Sequence, residues 1–323
     1  MRLALVGCGN IADFHIPAMR EAGFDCVSVA GSINSWRAKE FAKRHTISKV
    51  YADPVELLRD SSSWDALLLV SPVSTMIDYI KLAAPTGKPI LAEKPVALNH
   101  EELTPTLKYQ NVLVAYNRRF YSTAEYAKTF VDSHTDIIIK VSISEKRIDP
   151  DHNLGFPHRL PLLSYQNSVH LFDLVNFLAG KVQWEAASAI CGGDKYLGVV
   201  AFGKSDKGFT VQLDNCFNSP DNFAVNIISG DERVELRPIE IARYYKGMQV
   251  NESTKKIPFR TYTPKLIDQV VVTDEEGGFK SGFLMQSKDF MHYCTAGEDY
   301  RSATLVDAYN ALKTAHSLLD HCN

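Results

Sequence analysis

Nothing in these 323 residues repeats, no stretch is of low complexity, and no long linker interrupts the chain. Cysteine is sparse and scattered. Cys8, Cys26, Cys191, Cys216, Cys294 and Cys322 form no Cys-x-x-Cys pair, and none stands at zinc-ligand spacing from a histidine. That pattern excludes a zinc ribbon or a dithiol redox motif and fits a reducing compartment. Neither sign of charge dominates: 35 Lys and Arg face 38 Asp and Glu, for a net charge of −3. A broadly basic surface for nucleic acid or membrane is therefore excluded. The first apolar run is too short for a signal peptide or a membrane span, so the expectation is a soluble, cytoplasmic protein.

What the chain does contain is enough apolar residue, 45%, to bury a sizeable core, and a length that favours two domains. The first part alternates strand and helix. Strands are expected at 3–6, 26–30, 65–70, 88–93 and 112–116, with helices at 16–21, 35–45 and 75–84. Leu67-Leu68-Leu69-Val70 is apolar without alternation, as a strand buried on both faces should be. The pattern predicts an α/β Rossmann domain with a doubly wound parallel sheet over residues 1–120.

After residue 120 the rhythm changes. A strand at 137–144 and a helix at 168–178, stopped by Gly180, precede a run of strands at 184–191, 196–202, 209–217, 223–229 and 233–236. Turn-forming stretches separate them, and helices at 283–296 and 302–321 close the chain. Residues 121–323 thus read as an α+β domain with an antiparallel sheet. An open sheet face needs cover, so a homodimer or homotetramer is expected.

Gly7-Cys8-Gly9-Asn10-Ile11-Ala12 lies between the first strand and the first helix. In a dinucleotide fold the first glycine permits a tight turn, the second admits the pyrophosphate, and a small third residue lets helix and strand pack. Gly7, Gly9 and Ala12 meet those needs, with Asn10 and Ile11 between them at a helix N-terminus suited to phosphate. The second strand ends in Val29-Ala30-Gly31-Ser32 with no acid to hold a ribose 2′-hydroxyl. Ser32 with Arg37 or Lys39 suits a 2′-phosphate, which leans to NADP over NAD. The opposing reading makes these cations a solvated helix face.

Three further motifs follow in order: Glu93-Lys94-Pro95 ending a buried strand, Asn117-Arg118-Arg119-Phe120 ending another, and His170 with Asp173 on a helix. With the glycine turn and Val70-Ser71-Pro72, this set resembles the Gfo/Idh/MocA oxidoreductases across nearly the whole chain. The resemblance implies that 121–323 is a substrate-binding and oligomerisation α+β domain with an open, mostly antiparallel sheet, and it implies a nicotinamide cofactor, NAD or NADP. It implies hydride transfer at a hydroxyl-bearing carbon of a sugar, cyclitol or sugar nucleotide. Lys94 and His170 match the family's catalytic lysine and histidine, and Ser71, Pro72 and Glu93 fall on its cofactor side. Val73 and Met76 stand where the family has asparagine and histidine.

Elementary chemistry agrees on two residues. Oxidising an alcohol needs a base for the hydroxyl proton, which an imidazole supplies near neutral pH. An ammonium can steady the developing charge on oxygen. Asn117, Arg119 and Gln166 join Lys94 and His170 as candidate substrate contacts. For Arg118 and Arg119 a salt bridge is the competing reading. Asp173, one turn beyond His170, is expected to hold that helix or the imidazole. His152, His158 and Arg159 fall in a Gly- and Pro-containing loop that either lines a pocket or is solvated.

One departure stands out. Gln166 occupies the position, four before the histidine, where the family has aspartate, and an amide cannot take a proton. Either His170 and Lys94 suffice, or the fold serves as a catalytically silent cofactor- and sugar-binding regulator. No metal is expected.

Overall fold

The computed structural model describes residues 1–146, 167–193, 195–298 and 300–320. The chain forms two compact units. The first comprises Met1–Phe120, the described part of Ser164–Asp173, and the described part of Thr273–Ala315. The second comprises the described parts of Tyr121–Leu163, Leu174–Val272 and His316–Asn323.

In the first unit, strands β1 (Arg2–Val6), β2 (Asp25–Ala30), β3 (Lys49–Tyr51), β4 (Ala66–Leu69), β5 (Ile90–Ala92) and β6 (Val112–Val114) pair in parallel in the order β3-β2-β1-β4-β5-β6. Helices α1 (Asn10–Glu21), α2 (Trp36–Arg44), α3 (Pro54–Arg59), α4 (Val73–Ala83) and α5 (His100–Leu103) alternate with them. The central strands are apolar on both sides because both faces are covered; every residue of β4, β5 and β6 is buried. The parallel Rossmann sheet expected from the alternation is present.

Four features sharpen that expectation. α1 begins at Asn10 rather than Ile16, because the motif's second glycine is the N-cap and Asn10–Ala12 are the first turn. β3 and the short helices α3 and α5 are additional; Asp53 accepts the Val55 N–H and Pro54 opens α3, a helix-start pattern the periodicity of so short a segment does not reveal.

The second unit begins with α6 (Ser122–Asp132) and β7 (Ile138–Ile143). α7 (Ser168–Ala179) follows, its later part belonging here, and then come β8 (Val182–Gly192), β9 (Lys195–Ser205), β10 (Thr210–Cys216), β11 (Ala224–Ser229), β12 (Glu232–Leu236), β13 (Ile241–Asn251) and β14 (Thr261–Val271). The sheet order is β14-β13-β12-β11-β7-β10-β9-β8, antiparallel throughout except where β7 meets β10. Alternation writes two faces. Ile139, Val141, Val211, Leu213, Val225 and Ile227 are buried, while Ile138, Val200 and Phe202 are exposed. α6, β13 and β14 lie outside the elements the sequence predicts. Register shifts break β13, and β14 is an edge strand, exposed along most of its length and carrying Pro264.

In the first unit, α8 (Phe283–Ala296) packs on α1, with Phe290 stacked on Phe24. β15 (Ala303–Thr304) joins the first sheet antiparallel to β6, and α9 (Leu305–Asp320) begins there. β15 occupies the first residues of the stretch read as helix 302–321. Among the described residues no helix is long and apolar enough to cross a membrane.

Candidate active site

The turn after β1 is built by close backbone approach. Gly7 has φ +104°, and a Cβ there would sit 2.2 Å from the Val70 carbonyl oxygen, so only glycine fits. At Gly9 a Cβ would meet nothing within 4 Å, so the backbone borders open space. No side chain caps α1. Its first turn therefore has no side-chain acceptor at the positive end of the helix dipole, where the Ala12 N–H bonds the Gly9 carbonyl at 2.9 Å. Ala12 is buried in the core beneath, beside Leu5 and Val29. Gly31 lets the next turn close, since a Cβ would come within 2.9 Å of Cys8 Sγ and of the Ser35 side chain.

These turns border a cleft of about 450 Å³. Gly7, Gly9, Ser32, Arg37, Ser71 and Pro72 all line it. Cys8, Ser35, Pro54, Thr75 and Tyr79, not singled out by the sequence, line it too. Thr75 and Tyr79 are one turn apart on α4, directly after Ser71-Pro72, which is the spacing that could have revealed them. Burial pushes the Cys8 thiol up, against the pull of the Arg37 charge. Asn10, Ile11 and Ala12 do not line the cleft; they form the turn of helix beside it, with Ile11 packed on the core.

Glu93 and Lys94 lie at the end of β5, outside the cleft lining. Glu93 is buried, with one carboxylate oxygen 2.7 Å from His15 Nε2 and the other accepting the Lys94 N–H at 3.0 Å. His15 projects from α1 and stacks on Phe283 of α8, ring centroids 4.6 Å apart. The glycine-turn helix and the lysine-bearing strand end are thereby joined through one buried pair.

His170 is buried in the first turn of α7, edge-on to Tyr116 at 5.7 Å, and its Nδ1 has no hydrogen-bond partner among the described residues. Burial holds its pKa well below the ordinary imidazole range, and the charges of Lys94, Arg118 and Lys280 push the same way. The ring is therefore a neutral base at physiological pH.

Arg119 is engaged by other protein groups. Its guanidinium makes a bidentate pair with Asp173 at 2.8 and 2.6 Å and reaches Asp307 at 3.4 Å. Both Arg119 and Asp173 are buried. Burial raises the Asp173 carboxyl to about 6 against the opposing pull of Arg119, leaving it ionised at neutral pH. For Asp307 burial also pushes upward, but Arg119 and the Thr304 N–H and hydroxyl outweigh it and lower its pKa. Asp173 thus holds the arginine rather than the imidazole. Asn117 donates to the Ser281 carbonyl at 2.8 Å, and Arg118 to the Asn167 carbonyl at 3.4 Å. Gln166, His152, His158 and Arg159 lie outside the described residues. Among the described residues no group of three His, Cys, Asp or Glu is placed to hold a metal ion.

Residues 1–115 match the family model described as an oxidoreductase family with an NAD-binding Rossmann fold. The chain is 33% identical over 142 residues to scyllo-inositol 2-dehydrogenase (NAD(+)) of Bacillus subtilis, covering 41% of this chain and 40% of that protein. It is 25% identical over 242 residues to D-xylose 1-dehydrogenase (NADP(+)) 2 of Haloferax volcanii, covering 69% and 71%. For most curated relatives it matches, the chain spans about half their length. A Thermotoga maritima oxidoreductase of known crystal structure shares the fold across 100% of this chain and 97% of its own, with TM-score 0.75 at 18% identity.

Proposed function

We propose, on the premise that the Rossmann portion of this chain belongs to the Gfo/Idh/MocA oxidoreductases, that the protein is a NAD(P)-dependent dehydrogenase. Its substrate is a sugar, cyclitol or sugar nucleotide, oxidised at a hydroxyl-bearing carbon. One observation carries the reading: a glycine-turn cleft, a strand-end lysine and a buried neutral histidine occur in one compact unit.

The residues present fit a dinucleotide. Gly9 leaves backbone open beside an uncapped helix N-terminus, which suits a pyrophosphate. Ser32 and Arg37 line the same cleft where β2 ends without an acid, which favours a 2′-phosphate and hence NADP. The two named relatives use NAD and NADP respectively, so the preference rests on Ser32 and Arg37.

A bound nicotinamide supplies the hydride acceptor. The chain's own residues do the rest. Lys94 directs its ammonium to the substrate hydroxyl oxygen and stabilises negative charge as it develops there. His170, uncharged, accepts the hydroxyl proton; in the reverse direction the imidazolium returns it. Glu93, braced by His15, holds the Lys94 backbone N–H and so sets where that side chain begins. The amide of Gln166 cannot take a proton, so proton transfer falls to His170. The open face of the second sheet, with Val200 and Phe202 exposed, supports self-association as a homodimer or homotetramer.

The test is turnover. Purified protein with NAD⁺ or NADP⁺ and a panel of polyols, sugars and sugar nucleotides should form reduced nicotinamide, read at its absorbance band. Lys94→Met should cut the rate about 10²–10⁴-fold while still binding dinucleotide. Dinucleotide binding with no turnover on any member of the panel overturns the proposal in favour of a sensor.

A further inference from the structure

We propose, resting on the dehydrogenase reading above, that the substrate carries an anionic group, a carboxylate or a phosphate, and that Lys280 is the residue that meets it.

Lys280 is exposed, yet its position is not left to chance. Its ammonium lies 5.1 Å from the Phe14 ring and 5.4 Å from the Phe283 ring, two aromatic faces that hold a cation in place. It forms no ion pair with any described residue. The segment that carries it is tied to the other site residues. The carbonyl of the next residue, Ser281, accepts from Asn117, the neighbour of Arg118. Phe283 stacks on His15, which bonds Glu93, the neighbour of Lys94. Arg118 in turn donates to the Asn167 carbonyl, the same oxygen that accepts the His170 backbone N–H at 3.1 Å.

Of the acids in this unit, Glu93 faces His15, Asp173 and Asp307 face Arg119, and Asp274, six residues before Lys280, accepts the Gly282 N–H. The charges of Lys94, Arg118 and Lys280 all bear on His170, behind the larger effect of its burial. A neutral polyol would leave that positive field uncompensated. An anion beside the reacting hydroxyl neutralises it. Burial keeps His170 deprotonated before substrate arrives and the cations add to it, so one arrangement of cations serves both binding and the base.

The experiment compares four probes on the full chain: glucose, glucuronate, glucose 6-phosphate and UDP-N-acetylglucosamine. Each is tested by thermal shift on the cofactor-free protein and by turnover with NAD⁺ and NADP⁺. At least one charged probe should bind about tenfold or more tightly than glucose, and its advantage should shrink with added KCl. Lys280→Gln should erase that advantage by about tenfold, and Lys280→Arg should restore most of it. Glucuronate acting alone identifies a carboxylate; the phosphorylated probes acting alone identify a phosphate. Glucose bound as well as every charged probe overturns the inference. So does a Lys280→Gln loss that is equal for charged and neutral sugars. A charged probe that shifts the melting temperature through Lys280, with no nicotinamide reduced, upholds the anion site and overturns only the dehydrogenase reading.

Discussion

Replacing Arg119 with methionine removes one end of a buried ion pair and strands the other. Asp173 is 1% exposed, and among the described residues Arg119 is the cation that pairs with it, bonded through both carboxylate oxygens. Breaking such a pair costs about 3–5 kcal/mol, because the remaining charge is buried without compensation. The reciprocal change should be milder. In Asp173→Asn, Arg119 keeps Asp307 at 3.4 Å, and the lost charged hydrogen bonds are worth about 1–3 kcal/mol.

The deficit should also depend on pH. In the native fold Asp173 titrates at about 6, above its ordinary 3.8, so between those values the folded chain binds the extra proton. The group's contribution to stability is therefore full below about pH 4 and lost as pH rises through about 6, a swing of about 3 kcal/mol. Without Arg119 the carboxyl rises further, so protonation relieves the variant at a higher pH than the wild type. Urea midpoints for both proteins, taken from pH 5 to 8, give the difference directly, and titrations common to both cancel. Arg119→Met should fall furthest behind at pH 8 and recover toward pH 5. An Arg119→Met deficit no larger than that of Asp173→Asn, or one independent of pH, refutes the argument.

Gly7→Ala places a Cβ 2.2 Å from the Val70 carbonyl at φ +104°, so it should lose about 2 kcal/mol or more in a denaturation midpoint, and dinucleotide affinity with it. Arg37→Ala should weaken NADP⁺ binding by about tenfold or more and leave NAD⁺ nearly unchanged, as measured by equilibrium titration. The His170 pKa is depressed by burial first and then by neighbouring cations, so below about pH 6.5 the unfolded chain binds the proton that the folded chain refuses. Its contribution to stability is thus full above that pH and drains as the pH falls further. The wild type should lose stability more steeply than His170→Gln between pH 7 and 5.5; parallel slopes would count against a neutral buried imidazole.

The parts of this fold readable in advance are those whose cause is local. A strand covered on both faces must be apolar at every position, and Leu67–Val70 is. A turn that passes within touching distance of a neighbouring carbonyl must be glycine, and Gly7 is. Ser71-Pro72 follows the buried strand β4 directly, so its place at the cleft also comes from nearby chain. Half-exposed or very short elements carry no such imprint. β3 buries none of its three residues, β15 has two residues, and β14 buries too little for alternation to appear.

The site divides along the same line. Arg119 follows a strand end much as Lys94 does, and nothing in Asn117-Arg118-Arg119-Phe120 says which arginine turns inward. That choice belongs to Asp173, 54 residues on, and to Asp307 on α9. The same holds for His15, which sits in the glycine-motif helix but takes its role from Glu93, 78 residues away. Lys280 has no motif at all; it acquires meaning because its neighbours Ser281 and Phe283 are held against Asn117 and His15. A residue's backbone duty is thus written beside it in the chain, whereas its charge partner is chosen by the fold. The groups that tune His170 come from strand ends and helix starts far apart in sequence, so the chemistry of this site is a property of tertiary structure even where the motifs that announce it are local.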